Sequence, residues 1–302
     1  MPLFNIQPST FNSMQFYLGC AVWAYKDWVG DLFPAGSRSA DFLRLYGRRL
    51  TAVEGNTTFY ATPSPEVVSR WAAETPDTFR FCLKLPRAVS HAGPLVAQVA
   101  AARAFVERVA PLGERLGPFF LQLPPGYGPA QRGDLARFLE GWPREHPLAV
   151  ELRHADWYAP AHEQRAMELL GRLGIGRVVM DVRPIRQADD AGELLDGARE
   201  RKPDVPMHPL RSGGMAMVRY IGHPDPARND AWLDEWAPRI AAWLAEGTAV
   251  YCFMHCPDES RSPALCRAIQ RRLLALGAVP PLPWDTLAEA PPDAPPEQLS
   301  LF

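Results

Sequence analysis

Glu54 and Asn56, in the run LTAVEGNTTFYATP, stand two apart at the end of an otherwise apolar segment, and Glu151 and Arg153 repeat the arrangement in AVELRH. Side chains alternate faces along a strand, so the members of each pair share a face. Other β-prone runs also end in a polar group: Lys84 in FCLKLP, Gln122 in FLQLPP, Asp181 in VVMDVRP, Arg219 in MVRYIG and His255 in CFMHCP. Ser90-His91, just beyond the third run, offers a further imidazole. Taken singly, each has a plain alternative as a loop-capping or ion-pairing residue. Together they point to a site, because burying several charges costs free energy unless they pair or meet a ligand.

The residue types leave the chemistry open. Glu54, Glu151, Asp181 and His255 are the catalytic candidates, able to divide general acid and base roles or to supply oxygen and nitrogen ligands to Mg, Mn or Zn. Lys84, Arg153 and Arg219 point instead to an anion, since they would neutralise the carboxylates unaided and Arg suits bidentate recognition of phosphate or carboxylate. No His-x-x-x-His or Cys-x-x-Cys spacing supports a metal. Asn56, His91 and Gln122 complete the polar binding candidates. Trp23 and Tyr25, from an aromatic-rich first loop, either plug the fold or form a stacking wall. In YCFMHCP, alternation puts Cys252, Met254 and Cys256 opposite Phe253 and His255, which argues for packing thiols rather than a Cys-His pair.

The elements that must position these residues alternate. About eight β-prone runs, starting near Tyr17, Leu50, Phe79, Pro118, Pro147, Gly176, Met215 and Thr248, are separated by segments of helical period. This predicts an α/β fold, a TIM-type (β/α) barrel of about eight parallel strands, with an open sheet as the alternative. No Gly-x-Gly-x-x-Gly turn follows the first strand, which removes the usual reason to expect a dinucleotide fold. Proline falls at strand exits, as at Pro86, Pro124, Pro184, Pro224 and Pro257. In a barrel those exits form the face where active sites lie.

One barrel domain is expected over residues 1–279, with a long insertion at 183–214 that contains a short helix and is a candidate lid. Residues 280–302 read as a proline-rich flexible tail. The 302 residues carry 32 basic and 34 acidic side chains, so no global field draws the chain to nucleic acid or an anionic membrane. Five scattered cysteines and no basic-then-apolar start or membrane-length apolar run predict a cytoplasmic protein. The closing Gln298-Leu299-Ser300-Leu301-Phe302 is similar to peptides that dock bacterial proteins on the DNA sliding clamp. Leu301 and Phe302 would be the anchors on that alternative reading, a clamp-recruited DNA-associated factor.

GCAVWAYKDW, TAVEGNTTFYATPSPEVVSRW, DTFRFCLKLPRAVSH, LGPFFLQLPPGYGP, AVELRHADWY and RVVMDVRP together resemble the bacterial YecE-like family, domain of unknown function 72. The resemblance implies a TIM-type barrel and an unassigned activity. It also singles out Glu54, Asn56, Lys84, His91, Gln122, Glu151, Arg153 and Asp181. Gly19-Cys20-Ala21-Val22-Trp23 departs from the family's usual first-strand run, so first-strand contacts do not carry over. The expectation at this level is an enzyme for a small polar, anionic substrate with hydrolase-like acid/base chemistry.

Overall fold

A computed structural model of the protein describes residues 15–190 and 192–287. Eight parallel strands alternate with helices: β1 (Phe16–Cys20), β2 (Ala52–Gly55), β3 (Arg80–Leu83), β4 (Phe119–Gln122), β5 (Leu148–Glu151), β6 (Gly176–Asp181), β7 (Met215–Ile221) and β8 (Ala249–His255). Six of them form one curled sheet in the order β1-β8-β7-β6-β5-β4, and β2 pairs with β3 in a second sheet. The expected single closed sheet is thus an α/β fold with a six-stranded curled sheet, its regular ladder interrupted at two seams.

The seams have local causes. At the β1/β2 seam a Cβ on Gly19 would lie 1.8 Å from the Ala52 carbonyl oxygen, so only glycine permits the approach. Side chains take over the ladder there. The Leu18 amide donates to Thr51 Oγ1 at 2.8 Å, the Cys20 amide donates to the Tyr46 hydroxyl at 2.6 Å, and that hydroxyl donates to the Ala52 carbonyl at 3.0 Å. Between β3 and β4 the contact consists of isolated bridges at Phe81–Leu116 and Lys84–Phe120.

Period two sorts the strand residues into layers. One buried cluster joins Ala52, Cys82, Phe120, Ala149, Val178, Met215, Met217 and Phe253, with Tyr17 and Tyr251 against it, so every strand contributes. The opposite faces, including Leu18, Val53, Phe81, Phe119, Val150, Val218, Cys252 and Met254, pack under the helices in the main core. Several helices start on proline, where its missing N–H costs nothing: Pro65–Glu74, Pro160–Arg172 and, one residue in, Ser262–Ala275. The high proline content therefore marks helix starts as well as strand exits.

The insertion after β6 folds into a one-turn helix, Arg183–Arg186, and the helix Glu193–Arg201. Met180, Val182, Ile185, Leu195, Ala198 and Ile221 form its own small core on the ends of β6 and β7. Residues 280–287, expected as the first part of the tail, are packed on the domain. Leu282 and Trp284 are buried, the Trp284 amide donates to the Arg49 carbonyl at 3.1 Å, and the Arg267 guanidinium lies 3.9 Å from the Trp284 ring centroid. Apolar burial thus holds the chain through the turn Pro283–Thr286. Gln298, Leu299, Leu301 and Phe302 lie outside the described residues. Among the described residues no helix is long and apolar enough to cross a membrane.

Replacing Tyr46 by Phe leaves the Cys20 amide and the Ala52 carbonyl without their partner. The expected loss is about 1–3 kcal/mol of unfolding free energy, measured by urea denaturation. A change below a few tenths would show that the hydroxyl does not hold the seam.

Candidate functional site

Directly above the apolar cluster, on the same strand faces two residues further on, lies a polar layer. Ala52 leads to Glu54, Cys82 to Lys84, Phe120 to Gln122, Ala149 to Glu151, Met217 to Arg219 and Phe253 to His255. All six polar side chains are buried. They occupy the carboxyl ends of their strands or the next residue, so strand parity alone aims them inward.

Arg219 is the hub. Its Nε and Nη2 donate to Glu54 Oε2 and Oε1 at 2.8 and 2.7 Å, and Nη1 donates to Glu151 Oε2. Glu54 Oε1 also accepts from Asn56 Nδ2 at 2.7 Å, and Oε2 is 3.0 Å from His255 Nε2. Burial disfavours a charged Glu54, but Arg219 and His255 outweigh it and hold its carboxyl well below the usual range. Burial brings the His255 imidazole down to about 4, so near neutral pH the ring is uncharged and Nε2–H donates to Glu54. Burial also opposes the charge on Arg219, and Glu151 and Glu54 more than restore it. With two hydrogen bonds on each oxygen, Glu54 has no free acceptor site for a metal or a substrate proton.

Glu151 differs. Burial raises its carboxyl, and Arg219, Arg153 and Lys84 bring it below the ordinary value. Its Oε1 stands 3.5 Å from Arg153 Nε, yet neither buried atom has a hydrogen-bond partner. Arg153 also donates through Nη2 to the Arg201 carbonyl at 3.1 Å, which ties the insertion to the exit of β5. Lys84 Nζ donates to Gln122 Oε1 at 2.8 Å and lies 4.1 Å from the Phe59 ring centroid. Burial, followed by Arg219, presses the ammonium down to about 8. His91 is half-buried beside this group, its Nδ1 2.7 Å from Ser90 Oγ and its ring edge-on to Phe59. Burial and then Lys84, Arg87 and Arg153 lower its pKa.

Two sequence candidates lie elsewhere. Asp181 pairs in register with Tyr220, one position beyond the inward-facing Arg219, so it points outward under the helix Asp230–Ala245. There it accepts from Arg183 Nε and Nη2 at 2.9 and 2.8 Å and from Trp236 Nε1 at 2.8 Å, a structural ion pair that gives it no part in the cluster. Trp23 packs edge-on against Trp71 and Phe81 in the outer core. Tyr25 is half-buried against Trp28, where burial and then Asp27, Asp258 and Glu259 raise its phenol.

Lys202 and Glu259 were not anticipated. Lys202, at the end of the insertion helix, is half-buried, and burial followed by Arg219 lowers its ammonium to about 8 in the field of Glu54, Glu151 and Glu259. Glu259 follows β8, and burial raises its carboxyl to about 7. Its position after the proline-marked exit at Pro257 was a usable signal, whereas nothing local marks Lys202. Among the described residues no three His, Cys, Asp or Glu side chains gather as a metal shell. The two buried carboxylates instead take a guanidinium between them.

Glu54→Gln removes one of the two carboxylates that compensate the buried Arg219 and leaves it with Glu151 alone, and breaking a buried ion pair from one side is expected to cost about 3–5 kcal/mol of stability near pH 7. Because the folded pKa of Glu54 is depressed, its contribution is present above the unfolded carboxylate value and fades as pH falls through the folded one. Denaturation curves of both proteins should therefore converge in strong acid. A gap of equal size at pH 7 and pH 3 would contradict the pairing.

A family profile described as "Protein of unknown function DUF72" matches residues 17–287. The UPF0759 protein YecE of Escherichia coli K12 is 35% identical over 272 residues, covering 88% of this chain and 97% of that protein. The UPF0759 protein YunF of Bacillus subtilis 168 is 23% identical over 240 residues, covering 74% and 82%. Crystal structures of DUF72 family proteins share the fold: one from Enterococcus faecalis V583, at TM-score 0.65 and 17% identity, covers 86% of this chain and 95% of its own. Another, from Thermotoga maritima MSB8, has TM-score 0.61 and 22% identity and covers 86% and 99%. The chain belongs to the DUF72 family, whose function is unknown.

Proposed function

We propose that the polar layer is the active site of an enzyme acting on a small anionic substrate, set at the exit end of an eight-stranded (β/α) barrel. The observation that carries this reading is an excess of cations around two buried carboxylates. Lys84, Arg153, Arg219 and Lys202 face Glu54 and Glu151, and two of the ammoniums are pressed toward neutrality. Burial and like charge both favour releasing a proton from Lys84 and Lys202, and an incoming anion relieves that strain. The apolar cluster drawn from all eight strands supports the barrel as the frame.

The chemistry that fits is proton transfer at Glu151, in keeping with hydrolase-like reactions. Its unbonded Oε1 and the unbonded Arg153 Nε can share one hydroxyl or water, the oxygen accepting from Arg153 and the proton directed at Glu151. The cations that weaken Glu151 as a base are the groups that hold the anion. Substrate binding therefore raises its basicity where it is needed. Lys84 and Arg153 bind the anion, and Gln122 and Phe59 fix the Lys84 ammonium. Glu54, saturated by donors, positions Arg219 rather than moving protons.

Titration calorimetry with inorganic phosphate tests the anion site. Lys84→Met is expected to weaken binding about tenfold or more, and wild-type affinity should fall as pH rises from 7 to 9 through the lysine pKa of about 8. Glu151→Gln should leave phosphate affinity unchanged or tighter. On a panel of phosphate and carboxylate esters it should lower turnover by about 100-fold or more. Phosphate affinity indifferent to both Lys84→Met and pH would sink the reading.

A further inference from the structure

Three rings lead outward from the Lys84 side of the polar layer. Lys84 Nζ lies 4.1 Å from the Phe59 ring centroid, and Phe59 meets both Tyr60 and His91 edge-on, each at 5.2 Å between centroids. Exposure rises along that path. Lys84 is buried, Phe59 and His91 are half-buried, and Tyr60 is 82% exposed, the most exposed large hydrophobic side chain among the described residues. A single exposed aromatic is ordinary on a protein surface. This one, however, stands on a turn fixed to three strand exits. Asn56 Nδ2 donates to Glu54 Oε1 at 2.7 Å and to the Ala21 carbonyl at 3.2 Å, and Thr58 Oγ1 lies 2.8 and 2.7 Å from the Gly55 and Lys84 carbonyl oxygens. The Tyr60 and Ala61 amides close the turn on the Thr57 carbonyl at 3.1 and 3.2 Å.

His91 gives the rings a polar edge. Ser90 Oγ donates to the Pro86 carbonyl at 3.3 Å and so accepts from His91 Nδ1, 2.7 Å away. That tautomer leaves Nε2 an acceptor, with no hydrogen-bond partner among the described residues. We infer that Tyr60, Phe59 and His91 form a base-binding platform beside the anion site, so that the substrate is a nucleoside phosphate with its phosphate on Lys84 and its base on Tyr60. This rests on the anion-site reading above. An open ring held on a fixed turn suits stacking of a planar base. The free acceptor at His91 suits the amino group of adenine, cytosine or guanine, whereas a plain hydrocarbon ring would leave it unmet. A cationic group is disfavoured, because Lys84, Arg87 and Arg153 already bear on His91. A long polyanion is disfavoured too, since 32 basic and 34 acidic residues provide no extended positive surface.

Titration calorimetry on the intact chain with inorganic phosphate, ribose 5-phosphate, phenyl phosphate and AMP separates the parts. In wild type, AMP should bind about tenfold or more tightly than ribose 5-phosphate, the comparison that isolates the base. Tyr60→Ala should erase that gain, keep phosphate affinity within about threefold and melt near wild type, because the side chain is exposed. Tyr60→Phe, which keeps the ring, should retain the gain. AMP no tighter than ribose 5-phosphate, or a gain that survives Tyr60→Ala, overturns the inference and leaves the anion site standing. Phenyl phosphate binding as tightly as AMP overturns the choice of a nucleoside. Tyr60-dependent AMP binding that Lys84→Met leaves unchanged, or no binding of any of the four, defeats the anion site and the inference with it.

Discussion

A guanidinium enclosed at the top of the strand bundle cannot be left uncompensated, and the arrangement of the polar layer follows from that requirement. Arg219 needs carboxylates along both edges of its fork, and β2 and β5 supply them across the interior as Glu54 and Glu151. Glu54 then needs further donors, which His255 and Asn56 provide. The neutral state of His255 follows in turn, since an imidazolium would add a third charge where burial already opposes one. An apolar layer of the same shape would serve stability at least as well, so retention of this network argues for use rather than for strength.

Compensation stops short of neutrality, and the proposed site rests on that residue of charge. Lys84, Arg153 and Lys202 surround the Arg219 hub with only Glu151, and a Glu259 whose carboxyl is near its own midpoint at neutral pH, to balance them. The polar atoms left unbonded at Glu151 and Arg153 stand 3.5 Å apart, and Glu151 is the hub's own partner. A bound hydroxyl or water between them would match the Glu151 acceptor and the Arg153 donor together. The insertion is part of this balance because it brings Lys202 and is moored by Arg153, so the segment expected as a lid also carries a charged group to the layer.

Much of this was legible from period two. The rule that puts Ala52 in the interior puts Glu54 there, and it holds for Lys84, Gln122, Glu151, Arg219 and His255. It failed for Asp181 because a shift of one residue sends a side chain to the other face, and the end of β6 was read one position out of register with its neighbours. Trp23 was left open between packing and stacking because a loop has no period to fix its facing, and it packs on Trp71 and Phe81. Lys202 was invisible because its place depends on how Leu195 and Ala198 seat a helix on Met180 and Ile221, a tertiary fact. The interrupted ladder at β1/β2 turns on Gly19, Thr51 and Tyr46 meeting across sequence, and the packing of residues 280–287 turns on Trp284 finding Arg267.

The central claim is an uncompensated positive charge around Lys84, and the titration of that ammonium, followed by heteronuclear NMR on lysine-labelled protein, reads it directly. The expected pKa in the free chain is about 8, against an ordinary 10.5, and it should climb when phosphate is added because a bound anion favours the charged form. A value near 10.5 that phosphate does not move would contradict the account.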